Sequence, residues 1–232
     1  MRGSTEVDTS SSSSAEQAAN PSPREERRRA RLEMTRTQVL DVAERAFSSA
    51  GFHNTTIKSI AEQCEIAVGT IYTLFDDKDS VHEAVLRRRG AVLHGLTRTR
   101  ASEPGPADDT LVALAELQVR FFREHPDWAG LASALGSGAR VAPPSSGSSR
   151  LYEVGHQVVA DHHAAVIIRG QHEGSIRDGN PRALALVFLG MLETFHRIDN
   201  AGRSEQPDYG LIEFLDLVRA AFSSSRSADS SP

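Results

Sequence analysis

Apolar residues recur along this chain with the period of a helix and almost nowhere with the period of a strand. From Met34 to Ala50 the set Val39, Val42, Ala43, Ala46, Phe47 and Ala50 falls on one face, which predicts a half-buried helix ended by Gly51 as a left-handed cap. Ile57, Ile60, Ala61 and Cys64 stand at i, i+3, i+4 and i+7, predicting a short helix with Thr56 placed to cap it. The pattern loses phase at Glu65 and resumes at Ile66, Ile71 and Phe75, as two helices joined by a tight turn would give. Helical patterns then cover Ser80–Arg100, Thr110–Arg123, Pro126–Leu135, Leu151–His172, Pro181–Ile198 and Tyr209–Phe222. The predicted class is all-α: an N-terminal three-helix, helix-turn-helix domain joined to a C-terminal helical bundle.

Breaks in the pattern set the expected domains. Residues 1–23 are rich in serine and proline and read as a disordered tail, with a second tail at 224–232. Between them lie a helix-turn-helix domain at 24–79 and a ligand-binding and dimerisation domain at 80–223. Ser102–Asp109 and Gly136–Ser149 are connections rich in small residues and proline. Asp77, Asn180 and Asp208 are placed as helix caps. Lys78, in a first helical turn, opposes the helix dipole and points to an external anion.

Composition excludes several classes. No run approaches the roughly 20 apolar residues of a membrane span, and no apolar secretory segment opens the chain, so a soluble, cytoplasmic protein is expected. The single cysteine, Cys64, excludes an internal disulfide and a multi-cysteine zinc cluster; its spacing points it inward, where a thiol is inert. Overall charge is acidic, yet residues 24–100 hold 14 Lys and Arg against 11 Asp and Glu, while residues 101–232 hold 11 against 17. Positive charge therefore sits with the helix-turn-helix. The run Arg24–Arg31 reads either as an arm on DNA phosphates or as a solvated helix start with internal Glu-Arg pairs. Arg87, Arg88 and Arg89 read as a solvated face.

The outer face of the second short helix carries Gly69, Thr70 and Thr73, with Tyr72 at its border and Ala67 and Val68 opening it. Gly69 lets the backbone come close to an outside partner, threonine methyls suit thymine methyls, and the hydroxyls reach base edges or phosphates. Arg36, near the start of the first long helix, and Lys58, on the polar face of the first short one, are further candidate DNA contacts.

The segment Gln38–Leu86 resembles the DNA-binding domain of the tetracycline-repressor (TetR) family of bacterial regulators. Phe47, Gly51, Thr55, Thr56, Ile60, Ala61, Ile66, Gly69, Thr70, Ile71, Tyr72, Phe75, Lys78 and Val81 carry the match. Glu65 stands where the family often has glycine in the turn, so the resemblance implies a left-handed conformation there, at a cost of roughly 1 kcal/mol. The resemblance implies that Thr56, Thr70, Tyr72 and Lys78 hold the DNA backbone while the exposed face of the second helix reads bases. It also implies a homodimer, most often a repressor, on a palindromic double-stranded operator, released by a small molecule bound in the C-terminal bundle. Candidate ligand-contacting residues are Phe121, Phe122, Trp128, Tyr152, His156, Met191 and Phe195. The last two helices are apolar on more than one side, and Leu184, Phe188, Met191, Phe195, Leu211, Phe214, Leu215, Val218 and Phe222 are the candidate dimer interface.

Other chemistry finds little support. His156, His162, His163 and His172 include no i, i+4 pair with an acidic partner, so no metal is expected, and no cofactor. No GxSxG sequence, phosphate-binding glycine loop or nucleophile with an evident base appears, so no catalytic residue is named. The alternative is a helical metabolite-binding protein or small enzyme in which the helix-turn-helix is only scaffold.

Overall fold

The computed structural model describes residues 22–139, 147–202 and 210–224, and all regular structure among them is helical. Expectations for the two tails beyond residues 22 and 224, for residues 140–146 and for Asp208 as a cap lie outside the described residues. Helix α1 spans Pro23–Asn54 and starts well before the predicted Met34. Ser22 and Glu25 form a capping box, Pro23 occupies the first turn, and the arginines, glutamates and alanine that follow are strong helix formers. Gly51 takes φ 80° and ψ 163° as the predicted break, after which one more helical turn reaches Asn54.

Helix α2 (Ile57–Gln63) is capped by Thr56, whose hydroxyl accepts from Ser59 N. Glu65 sits at φ 55°, the left-handed corner expected of the turn. Helix α3 (Val68–Tyr72) is short, and Asp77 caps α4 (Lys78–Ser102) by accepting from Ser80 N at 2.7 Å. The remaining helices are α5 (Ala107–Glu124), α6 (Pro126–Ala139), α7 (Gly147–Glu173), α8 (Pro181–Gly202) and α9 (Leu211–Phe222). Asn180 caps α8 as expected. No described helix is long and apolar enough to cross a membrane.

Two main cores result. Val39, Ala43, Phe47, Ile60, Ile71 and Phe75 bind α1, α2 and α3 to the start of α4, and Leu131 of α6 enters the same cluster. Leu111, Leu114, Ala160, Ile167, Phe188, Val218 and Phe222 join α5, α7, α8 and α9. Helix α4 serves both ends: Val81 and Val85 lie in the first core, whereas Leu93 packs with Phe121, Trp128 and Ala132. Arg88 and Arg89 are not a solvated face. Arg88 pairs with Asp41 at 2.8 Å and Glu44 at 2.7 Å, and Arg89 reaches Glu44 at 3.3 Å. These bonds fix the tilt of α4 against α1; Arg87 keeps the solvated role beside Glu83.

The predicted dimer residues divide in an unexpected way. Phe188, Leu211, Phe214, Val218 and Phe222 are buried within the subunit, and Leu184, Met191, Phe195 and Leu215 are half-buried. The uncovered apolar side bears Val187 and Ile198 on α8 and Leu217 on α9, with Met191, Phe195 and Phe214 flooring a groove between them. Periodicity finds the apolar positions of a helix with two apolar sides, but it cannot tell which side meets its own core.

Candidate nucleic-acid interface and ligand cavity

Ile71 and Phe75 anchor α3, which turns Ala67, Val68, Gly69, Tyr72 and Thr73 outward. Tyr72 is 55% exposed, and a Cβ built on Gly69 meets no atom within 4 Å. Thr70 is half-buried, and Thr73 Oγ1 donates to its carbonyl at 2.7 Å. Thr56 and Lys58 are exposed beside this strip on α2, Lys58 lying 3.8 Å from Glu62. The exposed strip from Ala67 to Thr73 carries no charged side chain and is held from behind by the buried Ile71 and Phe75.

Two predicted contacts do other work. Arg36 donates from Nη1 to Leu74 O at 3.1 Å and lies 4.4 Å over the Phe75 ring, so it secures the segment after α3. Lys78 Nζ donates to Phe52 O at 2.8 Å and Thr55 O at 3.1 Å, with the Phe52 ring 4.2 Å away. Its ammonium caps the carbonyl end of α1, which explains a lysine set against the α4 dipole without an external anion. Sequence reasoning missed Gln38, which donates to Cys64 O at 3.0 Å and steadies the α2–α3 turn. Cys64 is buried, and desolvation raises its thiol pKa, as an inert core cysteine requires.

The second feature is a cavity of about 350 Å³ between α4, α5, α6, α7 and α8. Of the predicted contacts, Phe122, Trp128, Tyr152 and His156 line it. Phe121 is buried edge-on against Trp128, and Met191 and Phe195 face the groove on the other side of α8. Its walls are chiefly apolar: Leu86, Leu93, Val159, Leu189 and Leu192, with Gly90 and Gly155 leaving room. Polar groups gather on one side, where His156 Nε2 lies 3.1 Å from Glu193 Oε1 and the His196 ring packs at a tilt against Phe122, their centroids 3.9 Å apart. Glu193, His196, His94 and Gln118 carry no signal in the sequence, because nothing in their local spacing brings the helices that bear them together. Among the described residues no group of three or more His, Cys, Asp or Glu is placed to hold a metal.

Trp128 connects this wall to the first core. Its Nε1 donates to Leu86 O at 3.3 Å, and Leu131, three residues along α6, packs among the helix-turn-helix residues. A molecule pressing on Trp128 would act on the support of α3 through α4 and α6.

Behind Gln118 lies His163, wholly buried, with Gln118 Nε2 donating to His163 Nε2 at 2.9 Å. Burial, with His162 and His156 nearby, pushes its pKa down to about 3. From roughly pH 6.5 down to that value the unfolded chain binds a proton that the native protein excludes. This group's stabilisation is thus complete above pH 6.5 and falls by about 1.4 kcal/mol per pH unit below it. Denaturant unfolding of His163→Leu between pH 7 and about 4.5 should show a shallower fall than wild type; parallel curves would mean the imidazole is not held neutral.

Residues 39–85 match the family model described as "Bacterial regulatory proteins, tetR family". The chain is 38% identical over 52 residues to the HTH-type transcriptional regulator UidR of Escherichia coli K12, covering 22% of this chain and 26% of UidR. It is 34% identical over 90 residues to the regulator TtgR of Pseudomonas putida, covering 39% and 42%. The matches thus span less than half the length of these relatives. FadR of Bacillus subtilis, solved with stearoyl-CoA, superposes with a TM-score of 0.68 at 14% identity over 79% of this chain and 97% of its own. A candidate transcriptional regulator from Saccharomonospora viridis, solved with choline, gives 0.69 at 21% over 82% and 98%. At such identities the likeness is one of fold, and it extends well beyond the helix-turn-helix.

Proposed function

We propose that this chain, whose N-terminal domain is that of the tetR family of bacterial regulatory proteins, is a homodimeric transcriptional repressor whose hold on DNA is set by a small molecule. The observation that carries the reading is the outer face of α3: exposed, small-featured and braced from behind by Arg36, Gln38 and Lys78. Such a face fits a major groove, where Gly69 allows close approach and Tyr72, Thr73 and Lys58 reach bases or phosphates. Residues 24–79 read DNA, and residues 80–223 hold the effector and the dimer contact.

The effector that the cavity suits is mainly apolar or aromatic with one hydrogen-bonding group for the Glu193–His156 side. Its effect rests on differential affinity for two arrangements of α4 and α6; a tenfold loss of operator affinity needs about 1.4 kcal/mol of coupling. The apolar groove of α8 and α9 pairs with its copy, giving two α3 faces related by a two-fold axis and hence a palindromic operator.

Leu217, 58% exposed on that groove, provides the test. Leu217→Glu should sediment as a folded monomer and bind a duplex selected by the wild-type chain at least tenfold more weakly, because one half-site contact is lost. A dimeric Leu217→Glu protein with full affinity would place the dimer contact elsewhere.

A further inference from the structure

The first three turns of α1 stand clear of the rest of the protein: residues 22–34 are all exposed, including Leu32 and Met34. At 100° per residue, Arg24, Arg27, Arg28 and Arg31 fall within about 100° of one another, while Glu26 and Glu33 fall on the opposite side. Gln38, which touches the α2–α3 turn at Cys64 O, projects from the same side as the arginines. Among the described residues no carboxylate lies within ion-pair distance of any arginine of this stretch. The internal Glu-Arg pairing of a merely solvated helix start is therefore not made. Moreover, arginines at a helix N-terminus oppose its dipole, so the stripe does not serve the helix itself.

We infer that this arginine stripe is a second DNA contact, a helical rail that lies along the phosphate backbone beside the groove occupied by α3. Twelve residues, Pro23 to Met34, give the rail about 18 Å of length. The inference rests on the DNA-binding reading above and adds a surface that contributes affinity without base specificity, since phosphates carry no sequence.

The test uses the full chain and a duplex that the wild-type protein enriches from a random library, with binding followed by fluorescence anisotropy over a range of salt. The variant with Arg24, Arg27, Arg28 and Arg31 all changed to Gln should bind about tenfold more weakly. Its slope of log affinity against log salt should be shallower by about 2 to 4, one to two phosphate contacts from each protomer. Discrimination against a scrambled duplex should be unchanged. Arg28→Gln should weaken binding more than Arg29→Gln, an equal loss of charge one position away but off the stripe. Circular dichroism melts confirm that each variant is folded. Unchanged affinity and slope in the fourfold variant, or equal effects of Arg28→Gln and Arg29→Gln, would overturn the rail while leaving α3 as the reader. Failure of the wild-type chain to enrich any duplex would remove both.

Discussion

Gly69→Glu is expected to weaken operator binding more than 100-fold without lowering the unfolding temperature. Position 69 lies on the exposed face of α3 with no atom within 4 Å of a built Cβ, so the isolated protein has room for the side chain. Glutamate is also a better helix former than glycine by several tenths of a kcal/mol. Against DNA the same carboxylate would meet phosphates at close quarters, and like charges brought together cost several kcal/mol, where each 1.4 kcal/mol is tenfold in affinity. Anisotropy titrations paired with thermal melts check both halves. Retained affinity in a folded Gly69→Glu protein would mean that α3 does not face the duplex.

Asp199→Ala should be among the most destabilising single changes, by about 3–5 kcal/mol. Arg123 on α5 and Asp199 on α8 are joined by two hydrogen bonds of 3.0 and 2.8 Å, and their side chains are only 14% and 5% exposed. Removing the carboxylate takes two hydrogen bonds and a close negative charge from a guanidinium that little water reaches, and a broken buried pair typically costs this much. Urea unfolding should show a lower midpoint at unchanged slope. A loss below about 1 kcal/mol would indicate that water reaches Arg123 and that the pair behaves as a surface bridge.

What the sequence made legible was local. Thr56 and Asp77 cap helices, and Glu65 takes the left-handed corner, because those states depend on neighbours within a few residues. The inward bonds of Arg36 and Lys78 are not legible, because their partners, Leu74 on one hand and Phe52 and Thr55 on the other, lie 23 to 38 positions away, where periodicity carries no information. The cavity followed the same rule. Trp128 and Tyr152 are legible as pocket candidates because large aromatic rings with a polar tip suit a ligand wall, whereas Glu193 and His196 acquire meaning only once α8 packs across α7 and α5. On α8 and α9 the buried Phe188 and Val218 and the uncovered Val187 and Leu217 are equally apolar. Only the packed core separates them.

The enriched sequence obtained when the wild-type chain selects from a random duplex library tests the central claim most directly. Two α3 faces held by a symmetric pair of subunits predict an inverted repeat whose half-sites are centred about one helical turn apart, or a multiple of it. That repeat should vanish when Gly69→Glu performs the selection. Enrichment of a single unrepeated site by the wild-type chain, or of the same repeat by Gly69→Glu, would mean that paired α3 faces do not read the duplex.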